Sequence, residues 1–327
     1  MKATAKAPAN IALIKYWGKK DEALRIPEND NLSICLDRAF TVTTVEFRKG
    51  LKTDQIRLNN QPVQGRPKQR IEKHLERVRK KAKIKLKARV VSQNSFPTAA
   101  GLASSASGFA ALTLAATKAA GLNLEEKDLT RLTRIASGSA CRSIPSGFVY
   151  WQAGNSDQTS FAFSLYNPSY WDLRIISLIV EEGEKKVSST KGHELAGKNP
   201  FLKARLDLVK ENLKKIKKAF KNKDFSLLGE VIESETLSLH SVMLTSQPAL
   251  IYWQPITLKL IHKTINWREE GLAESYFTID AGPNLHLICR AKKIKKIVKK
   301  LKKVRGIKKI VVNKPAPGAH LLKTHLF

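Results

Sequence analysis

Apolar and polar positions alternate through residues 84–91 (Ile-Lys-Leu-Lys-Ala-Arg-Val-Val), the period of a half-buried strand. Residues 108–120 are instead rich in Ala and Leu, which predicts a buried helix with Gly121 as its stop. Residues 124–140 open with acidic side chains and carry Leu129, Leu132 and Ile135 on one face, predicting another helix. Residues 66–81, 200–221, 225–243 and 254–270 also read as helices, and strands are expected at 148–152, 174–181, 276–280, 285–289 and 308–312. The first sixty residues read as short strands, with turns at 27–31 and 59–60. Strands bracket helices in both halves, and long helices dominate beyond about residue 190. This is the α+β class, with two lobes expected at 1–190 and 191–327.

Composition narrows the setting. A chain of 327 residues with 42% hydrophobic content can bury a full core and exceeds one average domain. No stretch approaches the roughly 20 apolar residues needed to span a bilayer, and the first eight residues lack the apolar run of a signal peptide. Cys35, Cys141 and Cys289 are too few and too scattered for a disulfide framework or a zinc spacing, so a cytoplasmic setting is expected.

The net charge of +31 points toward anions. Lys and Arg crowd residues 66–87 and 290–305, a field that could hold nucleic acid or an anionic membrane. However, Ile294, Ile297, Val298, Leu301 and Val304 recur at helical spacing, which makes 291–304 an amphipathic helix with a solvated Lys face. No aromatic side chain interleaves it for base stacking. A lysine-rich surface, or attraction of small anionic substrates, explains the charge without nucleic acid or membrane as partner.

The candidate chemistry begins at Ser95-Phe-Pro-Thr-Ala-Ala-Gly-Leu-Ala-Ser-Ser-Ala-Ser-Gly108, where the strand runs into a small-residue loop and then the apolar helix. Gly101 allows a tight backbone, and Ser104 and Ser105 fall in the first helical turn, where free N–H groups and the helix dipole suit a polyphosphate. The loop has neither the Lys of a Walker A motif nor a G-x-G-x-x-G. By itself it is as readily a structural turn as a phosphate site.

Three further segments complete a pattern: Ala7-Pro-Ala-Asn-Ile-Ala-Leu-Ile-Lys-Tyr-Trp-Gly-Lys19, Ser137-Gly-Ser-Ala-Cys-Arg-Ser143 and Asp280-Ala-Gly-Pro-Asn284. Together, and in this order over nearly the whole chain, they resemble the mevalonate diphosphate decarboxylases, a branch of the GHMP small-molecule kinase superfamily. The resemblance implies a two-lobed GHMP kinase fold with the active site in the cleft between lobes. It also implies ATP with Mg²⁺ as cofactors, a phosphorylated mevalonate as substrate and a homodimer.

Residue by residue, the resemblance places Asp280 against the C3 hydroxyl of the mevalonate skeleton, where an oriented nucleophile matters more than strong deprotonation. Read locally, Asp280 could equally be a turn Asp bonding nearby backbone N–H groups. Arg142 would grip the substrate carboxylate through its planar fork, with Ser137 and Ser139 donating to substrate oxygens. Without the resemblance it reads as a surface ion pair. Lys15 and Tyr16 would contact substrate beside Asn10, although a Lys in such an apolar run ordinarily points into water. Lys19 is expected at the surface and Trp17 in the core. Arg70 would hold the substrate's phosphates, together with Ser189 in a Ser-Ser-x-x-Gly-Met-like loop that here ends in His193. A lone His is more often a surface residue than a catalyst. Pro97, Gly101, Leu102, Ala103, Ser104 and Ser105 would line the nucleotide phosphates, with the Ser105 oxygen available to Mg²⁺.

The activity implied is ATP-dependent decarboxylation of mevalonate 5-diphosphate to isopentenyl diphosphate, carbon dioxide, ADP and phosphate. A decarboxylase acting on the 5-monophosphate and a mevalonate 3-kinase are the alternatives within the fold. Retention of Asp280 disfavours the kinase. A basic RNA-binding protein is the alternative outside the fold, and it leaves Asp280, Arg142 and Lys15 unexplained.

Overall fold

The first sixty residues hold two long strands among the short ones expected. The computed structural model describes residues 1–96, 104–181, 187, 189–197 and 199–327. Strand β1 (Lys2–Ile14) runs for thirteen residues, and its Pro8 does not end it because a register shift between Pro8 and Ala9 absorbs the missing donor. Its small residues Ala3, Ala5, Ala7 and Ala9 are buried. After the short hairpin β2 (Lys19–Asp21) and β3 (Ile26–Pro27), strand β4 (Asn31–Arg48) runs for eighteen residues, with the β-branched stretch Thr41-Val-Thr-Thr-Val45 in the pleat.

Strands β5 (Gln55–Leu58) and β6 (Gln61–Pro62) form a hairpin through Asn59 and Asn60, both in the left-handed region as their turn requires. Helix α1 (Gly65–Ala82), strand β7 (Lys87–Asn94), helix α2 (Ser104–Ala119) and helix α3 (Glu126–Ala136) follow. Helix α3 stops at Ala136, four residues before the expected end, because the chain turns into a tight 3₁₀ segment over Gly138–Ser143. Strands β8 (Phe148–Gln152) and β9 (Phe161–Tyr166) complete a sheet whose main order is β14-β1-β4-β7-β5-β6, with β8 on β4 and β9 on β8. Alanines 106, 110, 111, 115 and 116 of α2 are fully buried, and α2 packs on β1 and β4 with Ala against Ala. Small side chains on both surfaces let the helix lie close, so its first turn at Ser104 is held against the sheet.

Strand β10 (Leu173–Ile179) pairs with β12 and β13 of a second, four-stranded antiparallel sheet. Helix α4 (Ser189–Ala196) and the long helices α5 (Leu202–Asn222), α6 (Phe225–Leu244) and α7 (Pro255–Glu269) precede its strands β11 (Tyr276–Ile279) and β12 (Leu285–Arg290). The basic segment is shorter than its periodicity suggests, a 3₁₀ turn followed by helix α8 (Ile294–Leu301), before β13 (Lys309–Asn313) closes the order β11-β12-β10-β13. Strand β14 (His320–Leu322) then returns to the free edge of β1. One core of Ile, Leu and aromatic side chains joins β1, β4 and β8 to β10, α5 and α6, so the two sheets share an interior. That interior puts the ends of β1 and β11 side by side.

Candidate active site

Lys15 follows the last residue of β1 and Asp280 the last residue of β11. Their side chains meet in an ion pair at 2.7 Å, with Lys15 1% exposed and Asp280 34% exposed. The Lys15 ammonium also donates to the Thr278 hydroxyl at 2.6 Å and the Ala12 carbonyl at 2.8 Å, which uses all three protons. Burial pushes the Lys15 pKa below its usual value against the pull of Asp280. Burial opposes charge on Asp280 too, but Lys15, His286 and Arg142 outweigh it and hold the carboxyl below the usual carboxylate range. Asp280 is therefore an anion at neutral pH with its open side toward solvent. The Lys of the apolar run points inward, not into water.

The backbone carrying Lys15 is fixed from behind. Its N–H donates to Glu235 on α6 at 3.0 Å, and Glu235 also accepts from Asn212 at 3.0 Å and Arg205 at 3.4 Å. Glu235 and Arg205 are both buried, a pairing that costs desolvation and is tolerated where several hydrogen bonds satisfy the carboxylate.

Arg142 lies in the 3₁₀ segment and is 4% exposed, so it is no surface ion pair. Its Nη1 donates to the neutral Asn31 side chain at 3.0 Å, while its Nε has no partner. Among the described residues no carboxylate pairs with it within 4 Å. Asn10 anchors the same turn, donating to the Ser139 carbonyl at 3.1 Å and the Ser143 hydroxyl at 2.8 Å, and its own Oδ1 is also unpartnered. Gly138 is needed here: a Cβ would lie 2.6 Å from the Tyr16 hydroxyl, so only glycine lets the turn close over that ring. The Tyr16 hydroxyl is a third buried polar atom without a partner. Buried polar groups are nearly always hydrogen-bonded, so three orphans on one turn and the strand beside it mark where a polar ligand would bind.

Ser137 is buried and donates to Ser105 at 3.4 Å, which brings the 3₁₀ turn to the first turn of α2. Ser104 opens the same turn; Pro97, Gly101, Leu102 and Ala103 lie outside the described residues, and Ser189 is described only as the start of α4. Arg70, exposed on α1, donates to the Ala136 carbonyl at 3.3 Å and stacks its guanidinium over Phe109. Trp17 is core, as its sequence setting predicts. Two expectations fail. The Lys19 side chain is only 1% exposed, folded onto Glu22. His193 is buried between the rings of Tyr16 and Trp17, at 4.3 and 4.5 Å, and its Nδ1 accepts from the Gly18 N–H. Burial among Lys19, Arg25, Arg142 and Arg205 keeps that imidazole neutral.

Among the described residues no three His, Cys, Asp or Glu side chains come together as a metal site. The exposed Ser105 side chain at the helix start fits Mg²⁺ carried in on a nucleotide's phosphates.

A family model described as the diphosphomevalonate decarboxylase-like N-terminal domain matches residues 7–162, and one for the mevalonate 5-diphosphate decarboxylase C-terminal domain matches 175–317. The diphosphomevalonate decarboxylase of Candida albicans is 36% identical over 302 residues, covering 86% of this chain and 82% of that protein. The chain belongs to the diphosphomevalonate decarboxylase family. The crystal structure of the Staphylococcus aureus mevalonate diphosphate decarboxylase is similar at a TM-score of 0.93 and 41% identity, over 98% of both chains. A solved complex of MDDEF with MVAPP, AMPPCP and magnesium is similar at 0.93 and 39% identity, over 99% of both.

Several residues that shape this family member's site escaped the sequence reading. Thr278, Asn31, Glu235 and Arg205 sit in ordinary strand and helix contexts, and only the three-dimensional contacts reveal them. Glu235 did carry a signal: it stands on an apolar helix with Val231, Ile232 and Leu239, where a carboxylate is out of pattern.

Proposed function

We propose that the protein is an ATP-dependent decarboxylase of mevalonate 5-diphosphate, yielding isopentenyl diphosphate, carbon dioxide, ADP and phosphate. The observation that carries this reading is the contrast within one cleft of an ionised Asp280 backed by Lys15 and a buried Arg142 with no carboxylate. The Lys15-held carboxylate is a weak base, so it accepts the C3 hydroxyl's hydrogen bond, aims the oxygen at the γ-phosphorus and takes the proton late, as the new O–P bond forms and the bond to ADP breaks. Arg142 takes the substrate carboxylate bidentately and orients the bond to be broken. Once C3 bears phosphate, the C1–C2 electron pair forms the new double bond as the C3–O bond breaks, releasing carbon dioxide and phosphate. Asn10, Tyr16, Ser137 and Ser139 would bind substrate oxygens. Arg70 and Ser189 would meet its phosphates, and residues 97–105 those of ATP. Mg²⁺ would neutralise the nucleotide's phosphate charge when bound.

The reading includes two lobes, 1–190 and 191–327, about the cleft, a homodimer and a cytoplasmic setting. The three cysteines are free and buried, in keeping with a reducing compartment. Among the described residues no helix is long and apolar enough to cross a membrane. Sedimentation would read the dimer directly. The reaction is tested by following ADP and carbon dioxide with mevalonate, its 5-phosphate and its 5-diphosphate in parallel. Both products should appear with the diphosphate; ADP with no carbon dioxide from any substrate would make the protein a kinase and refute the reading.

A further inference from the structure

The end of α3 gathers more positive charge than the site so far uses. The tip of the β2–β3 hairpin is pinned to it twice: Arg134 donates to the Leu24 carbonyl at 2.8 Å, and Arg25 donates through Nε to the Ile135 carbonyl at 3.0 Å. Arg70 reaches the next carbonyl, that of Ala136, from α1. Two guanidinium groups from separate elements are thus seated on consecutive carbonyls, one residue before Ser137. The hairpin holds Arg25 at φ +53°, a left-handed conformation that a non-glycine residue adopts only when its surroundings impose it.

Neither arginine has a carboxylate partner within 4 Å among the described residues. The nearest acids on the hairpin are engaged elsewhere, Glu22 with Lys19 and Asp21 with the Leu24 N–H. Burial first, and Arg25 after it, makes Arg70 and Arg77 harder to keep charged, and the field of Arg25 also reaches the buried Tyr16 and His193. Like charges anchored together without an anion are unfavourable until an anion arrives, and two guanidinium groups held on consecutive carbonyls suit a phosphate group.

We infer that Arg25, beside Arg70, is a binding residue for the terminal phosphate of the substrate and favours a diphosphate over a monophosphate. This rests on the reading above, which puts the substrate's phosphorylated end at Arg70. A monophosphate ends one group short, so Arg25 would contribute to the longer substrate alone.

The test compares the full-length wild type with Arg25→Gln and Arg25→Lys, using mevalonate 5-diphosphate and 5-phosphate with each varied in turn. Loss of one charge-assisted hydrogen bond should raise KM for the diphosphate about tenfold or more in Arg25→Gln. kcat and KM for ATP should stay within about threefold, and KM for the monophosphate should hardly move. Arg25→Lys should recover part of the loss. Inorganic pyrophosphate should raise the melting temperature of the wild type more than that of Arg25→Gln, a readout that does not need turnover. Equal loss with both substrates, a lowered melting temperature with unchanged KM values, or equal pyrophosphate protection would overturn the inference and leave a helix cap. A wild type inactive on every mevalonate phosphate would refute the proposed function instead.

Discussion

Lys15 and Arg142 are both buried cations at one cleft, yet they are built in opposite ways. Lys15 spends its three donors on a carboxylate, a hydroxyl and a carbonyl, all supplied by the protein. Arg142 keeps a neutral amide on one side and an empty Nε on the other. The first cation is part of the machine, and its charge is consumed in keeping Asp280 ionised. The second is an open valence, and its charge is available to whatever anion enters. A buried charge without a counter-ion costs several kcal/mol, so its persistence in a folded protein points to a ligand that relieves it.

Removing the anion of the first pair should have the largest effect. Asp280→Asn is expected to lower kcat by about 10²–10⁴-fold with little change in KM, since on the proposed reading the carboxylate acts on the reacting hydroxyl. A loss under tenfold in steady-state assays would remove Asp280 from the mechanism. Next comes Arg142→Lys, which keeps the charge but loses the fork. It should lower kcat/KM for the mevalonate substrate by about 10–100-fold and leave KM for ATP unchanged. A selective rise in the ATP value would move Arg142 to the nucleotide.

Lys15→Met sharpens the comparison further, because it leaves the part-buried Asp280 without its paired counter-charge. Burial alone raises a carboxyl pKa, so the acid limb of kcat/KM should move to higher pH, by about one to three pH units. An acid limb at the wild-type position would mean that Lys15 does not set the charge of Asp280. Smaller still per group is a background effect on stability. Burial holds His74 and His240 down to about 3 and His286 to about 4. As pH falls below about 6.5 the unfolded chain takes up these protons and the folded protein does not, so stability drops by about 1.4 kcal/mol per site per pH unit until the folded values are reached. Urea unfolding at pH 7.5 and 5.5 measures it, and equal stability at both would contradict the neutral burial of these rings.

Much of this site was legible in the sequence, for identifiable reasons. Asp280 stood at the end of an apolar run before a Gly-Pro turn, and a strand does deliver it to a loop edge. The Ala-rich texture of α2 foretold its burial, and the small-residue loop foretold where its first turn would begin. What pattern could not supply was partnership across the chain. Lys15 and Asp280 are 265 positions apart, and nothing local in either segment names the other. Lys19 and His193 were misplaced for the same reason. Polar types are assigned to the surface by default, and only the packing of the 16–19 segment against α4 buries them. The length of β1 escaped the pattern because the bulge that carries the chain past Pro8 has no periodic signature.

The seam between β1 and β14 has a consequence for how the molecule is made. Strand β1 is made long before β14, one of its two neighbours, and Thr4 meets His325 across 321 positions of chain. Until then the strand that ends in Lys15 keeps an unpaired edge of backbone donors and acceptors, the sort of edge that recruits other strands. Contacts this distant form late and slow the final step of folding. The nascent protein therefore carries the strand that ends in Lys15 half-paired until β14 has been made, and β14 acts as the clasp that ends this exposure.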